Sequence, residues 1–81
     1  MARLRRLSAI EVLRILDRSG FEVVAQRGSH AKLVRVSPAG ERQVLTVPLH
    51  RNLATGTLRA IYRQAARRAP SAALRQGFFA D

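Results

Sequence analysis

The chain has 81 residues and no cysteine, and fifteen basic residues against five acidic ones leave it at +10. Disulfide bridges and thiolate metal sites are therefore excluded, and a chain this short buries only about 60% of the surface it exposes when unfolded. No apolar run approaches the ~20 residues of a membrane span, while the charge attracts polyanions, either nucleic acid or an acidic protein partner.

Residues 1–7 read as a basic extension. The start MARLRRLSAIEVLRIL puts arginines ahead of apolar residues, but Glu11, Arg14 and Asp17 interrupt the apolar stretch and no small-residue cleavage site follows. The chain is thus expected in the cytoplasm, without a signal peptide. Ser8 and Glu11 have the spacing of a capping box and open a helix over residues 9–18. Ile10, Val12, Leu13 and Leu16 supply its apolar face, and Gly20 ends it.

FEVVAQR at residues 21–27 reads as a strand, Gly28 and Ser29 as a bend, and HAKLVRV at 30–36 as a second strand. Residues 37–40, Ser-Pro-Ala-Gly, form a turn, and RQVLTVP at 42–48 is a third strand ended by Pro48. TGTLRAIYRQAARR is helical again, with Thr55 placed to cap it and Leu58, Ile61, Tyr62 and Ala65 as its apolar stripe. Arg59, Arg63 and Arg67 recur every four residues on another side of that helix. Pro70 stops it, and Ser71 is placed to cap a short third helix through Gln76, within a variable C-terminal segment at 69–81. Phe21 and Tyr62 read as core; Phe78 and Phe79 cover either a sheet edge or a helix, or form a partner surface. The order α-β-β-β-α makes the chain one α+β domain, a three-stranded antiparallel meander with helices packed on one face.

The charge belongs to this body rather than to a tail. Residues 1–40 carry eight basic and three acidic residues, and residues 41–81 seven and two, a balance of +5 in each half. Fourteen of the fifteen basic residues are arginine, whose planar fork suits phosphate. The acids are few and scattered, which argues against a two-metal carboxylate nuclease, and His30 and His50 fit no zinc spacing. No metal or other cofactor is expected.

That leaves histidine as the one side chain suited to proton transfer near neutral pH. RNA carries its own nucleophile, the 2′-OH beside each phosphate, so a single positioned base accelerates its cleavage by roughly 10²–10⁴. Lys32 shares a strand face with His30, Arg27 lies just before the bend, and Gly28 and Ser29 offer backbone N–H groups or a hydroxyl to a phosphate. His50, just past the third strand, is either an exposed loop residue or an auxiliary near the same bend. Read from these residues alone, His30 is either an idle strand residue or a general acid–base. Strand parity leaves this open, because Ala31 and Leu33 suggest one buried face and Val34 and Val36 the other.

EVLRILDRSGFEVVAQRGSHAKLV followed by LTVPLHRNLATGTLRAIYRQA resembles the HicA family of toxins from bacterial toxin–antitoxin systems. The shared features are the helix and glycine–aromatic step, R-G-S-H, a meander ending in V-P-x-H, and G-T-L-R opening the second helix. The resemblance implies a double-stranded-RNA-binding-domain-like fold and a metal-independent mRNA interferase whose catalytic histidine falls on His30. It also implies a HicB-type antitoxin that binds the toxin and blocks its active site. Arg27, Lys32, Gly28 and Ser29 would then hold the mRNA phosphate, with Arg59 and Arg63 touching the RNA backbone further off. The competing reading is a non-catalytic module that binds duplex RNA through the same basic surface and is indifferent to His30. Many relatives carry a second histidine directly after the first, where this chain has Ala31; if that group shares in catalysis, activity here is weaker.

Overall fold

The first helix begins where its capping box requires. In the computed structural model, which describes residues 2–80, a two-residue strand β1 (Arg3–Leu4) precedes helix α1 (Ala9–Arg18). The Ser8 N–H donates to Glu11 Oε1 at 3.0 Å, and the Glu11 N–H donates back to Ser8 Oγ at 3.2 Å. The hydrogen bond from the Ser8 backbone N–H, then that with the Ser8 side chain, holds the Glu11 carboxyl below its ordinary range, with the nearby Arg14 charge assisting. At the far end Gly20 takes φ +91°, its N–H donates to the Asp17 carbonyl, and the Phe21 N–H reaches the Leu16 carbonyl. This is a Schellman stop, with Phe21 and Leu16 both buried as its apolar clasp. Phe21 therefore belongs to the helix stop rather than to the strand that follows.

The strands are β2 (Glu22–Arg27), β3 (His30–Val36) and β4 (Arg42–Pro48), joined as an antiparallel meander in the order β2-β3-β4. Gly28 has φ +53° and Ser29 an ordinary φ, the pattern of a tight type II′ hairpin turn, and Arg27 pairs directly with His30 across it. One irregularity breaks the β2–β3 register between Val23 and Ala25. The β3–β4 register is unbroken from His30↔Pro48 to Val36↔Arg42. Helix α2 (Thr55–Arg68), helix α3 (Ala72–Phe78) and strand β5 (Phe79–Ala80) complete the chain. The α+β meander with helices on one face, expected from the sequence, is thus the observed architecture.

The core lies between that face and the helices. Ala31, Leu33, Leu45 and Val47 of the sheet pack under Val12, Ile15 and Leu16 of α1, Leu58, Ile61 and Ala65 of α2, and Leu74 and Phe78 of α3. Three expectations need correcting. The buried stripe of α1 is Ala9, Val12, Ile15 and Leu16, because the helix turns toward α3 as well as the sheet; Ile10 is left 61% exposed. Ala54 rather than Thr55 is the last extended residue before α2, so Thr55 lies inside the first turn and no side chain caps it. Tyr62 is half-buried rather than core.

Both termini also carry structure that the sequence does not announce. β1 and β5 pair antiparallel, Arg3 with Ala80 and Leu4 with Phe79, and the Arg5 N–H donates to the Phe78 carbonyl. Phe78 is fully buried, and Phe79 meets the Tyr62 ring edge-on at a centroid distance of 4.9 Å. These phenylalanines close the C-terminal segment onto α2 instead of forming a free partner surface.

Candidate active site

Strand alternation divides β3 without ambiguity. Ala31 and Leu33 point into the core, at 1% and 0% exposure, so His30, Lys32 and Val36 stand on the face that no helix covers. The valines that confuse the sequence pattern are explained by this: Val34 is half-buried and Val36 is 66% exposed on the open face.

Cross-strand register then arranges the open face in rows. Arg27, His30 and Pro48 form the first row, Ala25, Lys32 and Thr46 the second, and Val34 and Val44 lie in the third. Directly paired side chains have Cβ atoms about 4.5–5.5 Å apart, and successive rows are separated by roughly 7 Å along a strand. The Leu49 N–H donates to the Ser29 carbonyl at 2.6 Å, which makes His30 and Pro48 the next, non-hydrogen-bonded pair. A proline is tolerated there because β4 is an edge strand and no ladder bond requires its missing N–H.

The three rows frame a shallow depression of about 520 Å³, lined by Ala25, Arg27, His30, Ala31, Lys32, Val44 and Thr46. One imidazole and two cations thus converge on an open surface. An imidazole can give or take a proton near neutrality, and flanking cations stabilise charge developing on a phosphate. Glycine at the turn leaves the approach clear: a Cβ built on Gly28 would meet nothing within 4 Å. Among the described residues, no three His, Cys, Asp or Glu side chains come together as a metal site would need.

The other sequence candidates fall elsewhere. The end of β4 does reach the Gly28–Ser29 turn through the Leu49–Ser29 bond, but His50 lines a different groove, beside Ser8, Ile10 and Leu13. Its carbonyl accepts from the Ala9 N–H, tying the loop to the start of α1. Arg59 and Arg63 are exposed on α2, outside the lining of the depression. Conversely, Thr46, Val44 and Ala25 line it and carry no sequence signal of their own. Pairing the strand ends Val36 and Arg42 and counting outward places Thr46 opposite Lys32.

Residues 10–66, more than half of the chain, match the family described as HicA toxin of bacterial toxin-antitoxin. The same comparisons match the chain to no curated protein and to no solved structure. Among the described residues no helix is long and apolar enough to cross a membrane.

Proposed function

The chain belongs to the HicA family of bacterial toxin–antitoxin toxins, and from that premise we propose that it is a metal-independent endoribonuclease cleaving mRNA in the cytoplasm, with His30 as its acid–base group. The observation that carries this reading is the convergence of exposed Arg27, His30 and Lys32 on the uncovered face of the sheet. The 2′-oxygen attacks the adjacent phosphorus, forming the 2′-O–P bond as the P–O5′ bond breaks. One proton leaves the 2′-OH and one reaches the departing 5′-oxygen. His30 makes one of these transfers and water or another side chain the other, since one imidazole cannot be base and acid in the same step. Arg27 and Lys32 hold the phosphate, and the Gly28–Ser29 turn lets it come close.

The same surface suits neutralisation. A HicB-type antitoxin with an acidic face would be drawn to the +10 body and would block His30 by covering the sheet. The test of the reaction is the chemistry of the ends. RNA cut by the purified chain is expected to carry 2′,3′-cyclic phosphate or 3′-phosphate on one fragment and 5′-hydroxyl on the other. Fragments with 5′-phosphate would overturn attack by the 2′-OH. A non-catalytic duplex-binding module would yield no fragments at all.

A further inference from the structure

The depression does not end at its cations. Beyond His30 and Arg27, its second row carries Ala25 and Thr46 on either side of Lys32, and Val44 forms its far wall at 37% exposure. Chemistry changes along the sheet, from charged to hydroxyl to aliphatic, within two rows of about 7 Å each. A phosphate held between Arg27 and Lys32 would lie one strand from Thr46, within reach of its attached nucleoside. Among the described residues no aromatic side chain lines the depression for stacking: Tyr62 packs against Phe78 and Phe79 on the helical side, and Phe21 is buried.

We propose that Thr46 is the specificity-determining residue of this site, its hydroxyl meeting the edge of the nucleobase beside the scissile phosphate while Val44, next to it on β4, seats the ring. The inference rests on the endoribonuclease reading above and adds to it where the base, rather than the phosphate, is held. The cations draw the occupant: an RNA strand whose phosphate is fixed one row away places a base on this strip. A hydroxyl both donates and accepts, so it meets several bases and favours one only mildly. Aliphatic contact on Val44 adds affinity without discrimination. The site therefore reads sequence weakly and locally.

Four short RNAs, identical except for the base beside one cleavable phosphate, test this with the parent, Thr46→Val and Thr46→Ser. Thr46 is exposed and valine matches its shape and strand preference, so neither variant threatens the fold. The parent should prefer one base in kcat/KM by roughly two- to tenfold, the range one net hydrogen bond provides. Thr46→Val should level that preference while still cutting all four RNAs, and Thr46→Ser should keep it. A parent without base preference, or a Thr46→Val variant with the parental preference, overturns the assignment and leaves the endoribonuclease reading standing. If Thr46→Val changes only neutralisation by the antitoxin, the strip is a protein footprint and the assignment also fails. No cleavage by the parent removes both readings together.

Discussion

Gly77 backs directly onto Ile15: a Cβ at position 77 would lie 2.5 Å from Ile15 Cγ2 and 2.7 Å from Cγ1. The C-terminal helix docks on α1 at this point because glycine leaves room for a branched side chain that is itself buried. Within a helix, glycine normally costs stability relative to alanine, so its presence reflects the packing. Gly77→Ala should destabilise the chain by about 1–3 kcal/mol despite its better helix propensity. In a chain this small that lowers Tm by several degrees per kcal/mol. Ile15→Val in the same chain should recover part of the loss, and thermal unfolding of the single and double variants measures the coupling.

The capping box at Ser8 and Glu11 makes stability depend on pH in a defined direction. The folded carboxyl sits below the 4.5 of an ordinary glutamate, so the unfolded state binds the proton more readily. The contribution is complete above that ordinary value and is lost as pH falls through the lowered folded value. Glu11→Gln should therefore melt below the parent at about pH 7. The gap should close as pH falls well below 4.5, where the parent's carboxyl becomes as neutral as the amide. Thermal melts across that range check it; a gap that widens on acidification contradicts the assignment.

Ala31 directly follows His30, and in this fold its side chain points into the core at 1% exposure. Installing an imidazole there places it among Leu33, Val47 and the helices rather than in the depression with His30. Ala31→His should destabilise the chain by about 1–3 kcal/mol through overpacking and burial of a polar ring. It should not raise RNA cleavage. A stable variant with faster cleavage would show that position 31 reaches the open face.

Phosphate contacts reveal themselves in salt dependence. With His30→Ala to prevent cleavage, RNA affinity should fall with salt, and each lost contact should flatten the log–log slope by about 0.7 for a single strand. Arg27→Ala and Lys32→Ala should each produce such a step, since both line the depression. Arg59→Ala and Arg63→Ala, on α2 and outside it, should have smaller effects. Equal steps at all four positions would mean that RNA also runs along α2.

Most of the architecture is legible in the sequence because it is locally punctuated. Ser8 with Glu11, Gly20, the Gly28–Ser29 bend and the turn at 37–40 mark boundaries by chemistry that acts over a few residues. The pairing of β1 with β5 is not legible, since two-residue strands joined from opposite ends of the chain leave no periodicity. The burial of Ile15 against Gly77 of α3, with Ile10 left exposed, equally lies outside local pattern. At the site, Arg27, His30 and Lys32 can be grouped from the hairpin alone. The facing of His30 cannot, because Val34 and Val36 lie on the open face and imitate a buried one. Thr46 and Val44 join the depression only through cross-strand register.

If His30 moves a proton during RNA cleavage, His30→Ala must lose most of that activity. Its side chain is exposed, so the variant should fold and bind RNA as the parent does. Cleavage should fall by at least about 10²-fold, and growth arrest on expression should disappear with it. A His30→Ala protein that cuts RNA and arrests growth at the parental rate would show that His30 is not the acid–base group.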